Sequence, residues 1–335
     1  MKKLRIGVIG AGRISVMHLG AIDYLKDYAE LVAICDIKFN RAEEVAEKYN
    51  CKAYADYKVM LEEEQLDVVH ICTPHYLHTT MARDCFTKGI AVLTEKPMGI
   101  AYDDCVQTVE CAERLGVLFG VIFQCRYNDS AQLVKRAVES GALGKILSVV
   151  STLTWSRSDD YYSESDWKGT WDKEGGGVII DQVIHSLDLA NWIINDEVEK
   201  ISATMANRGH QIVQVEDTAE GMISYKNGTR YSFYCMNNHA CDEPIEIKFY
   251  AEKGKAFLTY DYARIEYNDG RVEYAQTTAP DVVYDGGKDY WGFMHVRQVE
   301  QFYKAVYGLE ELQISGREAL KIQKIVNTIY DIAKK

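Results

Sequence analysis

Leu4 to Ser15 reads LRIGVIGAGRIS, an apolar run that ends in closely spaced glycines and leads into residues suited to a helix. A strand that turns through Gly10-Ala11-Gly12 into a helix reaching Lys26, then returns as the apolar run Leu31 to Cys35, makes one strand, helix and strand unit. The glycines permit a tight turn and let the backbone approach a pyrophosphate. The amides from Gly10 through Gly12, Arg13 and Ile14 then receive its charge at the helix N-terminus. Asp36 ends the second strand, where a carboxylate accepts hydrogen bonds from a ribose diol and repels a 2′-phosphate. Ser15 stands where the fingerprint has its third glycine, so the glycines alone are a weak signal. Their setting, with a strand before, a helix after and an acid at the right distance, predicts NAD in preference to NADP.

Outward from this unit the alternation continues. Helices are expected around Lys58 to Gln65, His78 to Lys88 and Asp103 to Leu115, with strands at Asp67 to Cys72, Ile90 to Thr94 and Leu118 to Phe123. Strands separated by helices imply a doubly wound parallel sheet over residues 1–124, with ligands beyond the carboxyl ends of the strands. Two loops fall at such ends. One is Thr73-Pro74-His75-Tyr76-Leu77-His78 and the other Glu95-Lys96-Pro97, so Thr73, Pro74, His78, Glu95 and Lys96 are expected to face the cofactor. His75 and His78 lack a third ligand at sensible spacing, and no metal is expected.

Past Gln124 the pattern changes. A helix from about Asp129 to Ser140 leads into β-rich segments at Ile146 to Trp155, Ile201 to Asn207, Thr218 to Tyr225, Tyr231 to Asn237, Ile245 to Ala251 and Ala256 to Tyr260. Hairpin turns are expected at Lys226-Asn227-Gly228-Thr229 and Asn268-Asp269-Gly270. Residues 125–335 thus form an α/β domain with a large, mostly antiparallel open sheet, closed by helices at about Gly292 to Tyr307 and Arg317 to Lys334. One sheet face is expected to pack on helices and the other on a partner subunit.

With 335 residues, 47% hydrophobic and 26% charged, the chain has the composition of a globular protein of about two domains. A net charge of −12 without a basic patch argues against nucleic acid or an anionic membrane as partner. No apolar run approaches transmembrane length. Nine scattered cysteines without a C-x-x-C pair read as reduced thiols of a cytoplasmic protein.

Glu174 to Asp188, EGGGVIIDQVIHSLD, sets Asp181, His185 and Asp188 at i, i+4 and i+7, one stripe of a helix. Ile180, Ile184 and Leu187 form an apolar stripe beside them, and no Lys or Arg occurs from Glu174 through Glu199, so the helix is expected to be mostly buried. A carboxylate and an imidazole in such surroundings are either paired or used. A core histidine capped by an aspartate and an acid–base pair are both open at this point.

In order and spacing, GAGRIS with His18, Asp36, TPHYLH, Glu95-Lys96-Pro97, GGGVIIDQVIHSLD and Gly292-Phe293-Met294-His295 with Gln298 and Phe302 resemble the Gfo/Idh/MocA family of nicotinamide-dependent sugar and cyclitol dehydrogenases. The resemblance runs nearly end to end. It implies a catalytic trio of Lys96, Asp181 and His185, hydride exchange between NAD(H) and a secondary alcohol, and a homodimer or homotetramer. Tyr127, Trp167, Trp171 and His295 are candidate contacts to sugar hydroxyls, although WKGTW equally suits loop packing. Some relatives are regulators, and some are lyases or glycosidases that recycle NAD internally. The presence of the whole trio favours net redox chemistry.

Overall fold

The computed structural model describes residues 2–282, 284 and 294–334. The chain divides into two compact units, Met1–Gln124 with Ala279–Lys321, and Cys125–Thr278 with Ile322–Lys335.

In the first unit, strands β1 (Leu4–Ile9), β2 (Ala29–Cys35), β3 (Lys52–Tyr54), β4 (Val68–Ile71), β5 (Ala91–Thr94) and β6 (Phe119–Val121) stand in the order β3-β2-β1-β4-β5-β6. Every pairing is parallel. Helices α1 (Ser15–Tyr24), α2 (Phe39–Tyr49), α3 (Tyr57–Glu63), α4 (His78–Phe86) and α5 (Tyr102–Leu115) connect them. All four residues of β4 and of β5 are buried, as a sheet covered on both faces requires. The pair α2 and β3 was not foreseen. α2 buries only Ala42 and Ala46 and has no side-chain cap at Lys38, so its apolar signal is thin.

The second unit opens with α6 (Asp129–Glu139), β7 (Ile146–Thr154), α7 (Asp159–Ser163) and α8 (Ile184–Ile194). β8 (Val198–Ala206), β9 (Thr218–Tyr225), β10 (Arg230–Met236), β11 (Glu246–Ala251), β12 (Gly254–Leu258), β13 (Tyr262–Tyr267) and β14 (Val272–Gln276) follow. The sheet runs β14-β13-β12-β11-β7-β10-β9-β8, and among the described strands only β7 and β10 pair in parallel. Alternation, broken in β7 by a register shift at Leu147, gives it two faces. Val149, Leu153, Tyr231, Phe233, Ile247 and Phe249 are buried, whereas Leu147, Val150, Met222, Tyr234 and Tyr250 are exposed. β13 and β14 were read only as far as the turn between them, because β14 buries none of its residues and so shows no apolar face.

α9 (His295–Val306) and α10 (Gly316–Ala333) complete the chain, while the expected helix start at Gly292-Phe293 lies outside the described residues. The expected second domain, 125–335, is corrected at its far end, since Ala279–Lys321 belongs to the first unit. The cause is α9, whose Val296, Val299, Phe302 and Tyr303 join Ile6, Val8, Leu19, Ile22 and Ile122 in one hydrophobic core.

Candidate active site

The glycine turn follows from backbone contact. A Cβ at Gly10, whose φ is +98°, would stand 2.6 Å from the Cys72 carbonyl oxygen, while in front of Gly12 there is open space. Ser15 turns its hydroxyl back onto the Gly12 carbonyl at 2.7 Å, and among the described residues no side chain caps the N-terminus of α1. Asp36 braces the turn: its Oδ2 accepts from Ala11 N and its Oδ1 from Lys38 N, both at 2.8 Å. An uncapped helix start behind an open glycine, with a carboxylate at the end of the neighbouring strand, fits a dinucleotide.

The loops after β4 and β5 are tied together by His78. Its Nδ1 stands 2.7 Å from the Pro97 carbonyl and its Nε2 2.8 Å from that of Thr73. Burial pushes the imidazole pKa down, against the two carbonyls that favour its charged form. Beneath these loops lies a chain of buried polar groups. Glu95 Oε1 is 3.0 Å from both His18 Nε2 and His295 Nε2, His18 Nδ1 is 2.8 Å from His70 Nδ1, and His70 Nε2 is 3.1 Å from the Tyr303 hydroxyl. Glu95 Oε2 accepts from Lys96 N at 3.1 Å. The hydrogens follow by assignment. An ionised Glu95 can only accept, so both Nε2 atoms donate; a neutral His18 then accepts from His70 Nδ1–H, and His70 accepts from Tyr303. Burial alone would raise the Glu95 pKa, but the bonds from His18 and His295 outweigh it and hold the carboxyl well below the usual range. Burial likewise lowers His18 and His70.

In the second unit the stretch before α8 is seated on Glu216. Its side chain accepts from Gly177 N at 3.0 Å and Ile179 N at 3.1 Å, its carbonyl from Val178 N at 3.1 Å, and the Tyr330 hydroxyl donates to it at 2.8 Å. The glycines make this possible: a Cβ at Gly177 would lie 1.9 Å from Glu216 O, and one at Gly176 1.9 Å from Tyr330 Oη. Ile179–Val183 is a single π-helical turn, so Asp181 and His185 do not share the regular α-helical stripe expected of them. His185 is buried, with Nδ1 3.9 Å from Cys125 Sγ. Asp181 Oδ2 accepts from the Tyr161 hydroxyl at 3.0 Å and Gln182 Nε2 at 2.9 Å, with Lys168 Nζ at 3.8 Å. Gln182 is held in turn by Asn237. Asp188 is a buried partner of Arg126, which bonds both its oxygens at 2.8 and 2.6 Å.

Residues 4–123 match the oxidoreductase family with NAD-binding Rossmann fold, and residues 131–257 match the GFO/IDH/MocA C-terminal domain. The chain belongs to the Gfo/Idh/MocA family. Myo-inositol 2-dehydrogenase of Thermotoga maritima is 29% identical over 76% of this chain and 75% of its own length. D-glucoside 3-dehydrogenase of Escherichia coli is 27% identical over 99% and 95%. The WlbA dehydrogenase from Bordetella pertussis, solved in complex with NADH and UDP-GlcNAcA, superimposes with a TM-score of 0.87 at 28% identity, covering 100% of this chain and 97% of that one. As a Gfo/Idh/MocA member, the chain is an NAD-binding oxidoreductase.

This family member places its expected site residues unevenly. Gly10, Gly12, Arg13, Ile14, Asp36, Thr73, Pro74 and Lys96 line the strand ends of the first unit. Glu95 and His295 are both buried and bonded to each other inside that unit, beneath the loops. His78 stands between two backbone carbonyls, of which a neutral imidazole bonds one. In the second unit, Tyr127 and Trp167 are half-buried near Cys125 and Lys168 in sequence. Trp171 is a packing residue, its indole N–H bonded to Gln214 O at 2.9 Å and its ring set against Tyr330 and under Lys334. Tyr161, Lys168, Glu216 and Tyr330 were missed. Each acts across a long sequence separation, and the only signal was negative, the lack of a cation from Glu174 to Glu199.

Burial raises the Glu216 pKa to about 7, against the donors that favour its charged form. A carboxyl raised above its unfolded value contributes stability that is full below the unfolded pKa and is lost as pH rises through the folded one. Between pH 5 and 8, wild type should therefore lose about 3 kcal/mol relative to Glu216→Gln. Thermal melts of both proteins across that range measure it, and parallel pH profiles would refute the assignment.

Proposed function

We propose that the chain transfers hydride between NAD(H) and a secondary alcohol of a sugar, cyclitol or sugar derivative, with Lys96, Asp181 and His185 as the catalytic residues. The observation that carries this reading is the π-turn helix, which presents a buried imidazole and a carboxylate in a chain whose other unit has an open dinucleotide turn. Oxidising a secondary alcohol removes the hydroxyl proton while hydride leaves, and bound NAD supplies the hydride acceptor. For His185 Nε2 to take that proton, Nδ1 carries the ring hydrogen toward Cys125 Sγ, a weak acceptor. Asp181 holds the substrate hydroxyl or the imidazole in register, and the Lys96 ammonium stabilises the developing alkoxide. Gly10 to Ile14 and Asp36 hold the cofactor; Tyr127 and Trp167 contact sugar hydroxyls. The relatives named above, acting on inositol and on D-glucosides, support the alcohol class without choosing its member.

The exposed sheet face at Leu147, Val150, Met222, Tyr234 and Tyr250 is assigned to a second copy of the chain, giving a homodimer or homotetramer. Among the described residues all nine cysteines are free and no helix is long and apolar enough to cross a membrane, which supports a cytoplasmic location.

His185→Ala and Lys96→Ala should each lower turnover by about 10² to 10⁴ while NAD affinity stays nearly intact. Single-turnover hydride transfer and cofactor fluorescence decide this on a panel of cyclitols, aldoses and glycosides; products at the oxidation state of the substrate would point instead to internally recycled NAD. NADH should bind more tightly than NADPH, and Asp36→Ala should shrink that ratio by about tenfold to a hundredfold. The ratio is the readout, because loss of the Asp36 bond to Ala11 N weakens the turn for both cofactors alike. Light scattering at micromolar concentration should show a dimer or tetramer, and a monomer would refute the sheet-face assignment.

A further inference from the structure

We propose that Lys168 and Tyr161 are positioning residues for Asp181: Lys168 supplies its cation and Tyr161 fixes the direction of its carboxylate. This rests on the reading of Asp181 as a member of the catalytic trio. The helix cannot neutralise Asp181 by itself, since Glu174 through Glu199 contain neither Lys nor Arg. The side chain of Asp181 is only 13% exposed, and Glu174 adds a second carboxyl to the same surroundings. Burial together with the Asp181 charge pushes Glu174 up to about 8, with Lys168 pulling the other way. An aspartate placed so needs a cation to remain an acceptor.

Lys168 meets that need from the loop after α7. Its ammonium bonds the Tyr161 hydroxyl and stands 3.8 Å from Asp181 Oδ2, and its side chain is 18% exposed. The direction of the bonds is forced. Lys168 only donates and an ionised Asp181 only accepts, so Tyr161 receives from Lys168 and passes its single hydrogen to Asp181. The loop is anchored beside the lysine: Gly169 N donates to Glu174 Oε2, and Gln214 N donates to Gly169 O at 2.8 Å. Arg157, the other cation close to the Tyr161 ring, is engaged with Asp242. Gln182 bonds the same oxygen of Asp181, so the carboxylate is held from two directions.

Removing one partner of a buried pair leaves the other charge uncompensated, so Lys168→Met should cost stability as well as rate, and the two are read separately. Lys168→Met and Tyr161→Phe should lower single-turnover hydride transfer about tenfold to a hundredfold with KM changed less than about threefold, and Lys168→Arg should recover most of the loss. A deuterium isotope effect on the transferred hydride should grow in the slow variants. In parallel, melting temperatures of Lys168→Met, Asp181→Asn and the double variant should be non-additive by at least about 2 °C. Additive melting temperatures, or wild-type rates in Lys168→Met, would overturn the assignment. Wild type without turnover on any sugar or cyclitol would overturn the oxidoreductase reading and the catalytic half of this one, leaving the double-variant cycle to decide whether Lys168 holds Asp181.

Discussion

The helix that carries Asp181 and His185 starts on a buried carboxylate. Backbone donors at a helix start have no partner within the helix, and leaving one of them buried and unmade costs about 1–3 kcal/mol. Here Gly177 and Ile179 give their N–H groups to the Glu216 side chain, Val178 gives its own to the Glu216 carbonyl, and Tyr330 adds its hydroxyl. Contact this close leaves no room for side chains at Gly176 and Gly177, so the run of glycines is a consequence of the seat. The wide turn that follows, Ile179–Val183, sets the angle between Asp181 and everything on α8.

The first unit solves a similar problem in the same way. Lys96 follows directly on a buried strand, and a loop there has to satisfy its backbone without water. Glu95 takes the Lys96 N–H on one oxygen and two imidazoles on the other, while His78 sits between the carbonyls of Thr73 and Pro97 and donates to one of them. A carboxylate buried this deeply stays ionised only because several donors converge on it. Each expected catalytic element is therefore backed by a polar group that faces inward, and those inward groups resemble ligand contacts when only their sequence is known.

Glu95, His295 and Trp171 lie close in sequence to motif residues, and nothing in their spacing separates support from contact. The strands and helices of the nucleotide-binding half were legible because β1, β4 and β5 are mostly apolar runs that end in a glycine turn, in Thr73-Pro74 and in Lys96-Pro97. α2 and β14 were not: α2 buries only two alanines and β14 buries none of its residues. A π-turn leaves no trace in an apolar pattern, so Asp181, His185 and Asp188 looked like one stripe. The return of α9 to the first unit was hidden for another reason: its apolar face would suit either core, and only the observed packing chooses.

The absence of Lys and Arg from Glu174 to Glu199 was first a sign of burial, but it also constrains the rest of the second unit. Three of the carboxyls on this segment, those of Glu174, Asp181 and Asp188, are withdrawn from solvent and need either a proton or a cation. Asp188 receives Arg126 from the turn before α6, in a bidentate pair that fixes α8 at that point. Asp181 receives Tyr161 from α7 and Lys168 from the loop after it. Glu174, raised to about 8, takes the proton at neutral pH. Glu174 and Asp181 are thus treated in opposite ways: burial and the neighbouring carboxylate push Glu174 up, while the lysine of a separate loop and the hydroxyl of Tyr161 are given to Asp181.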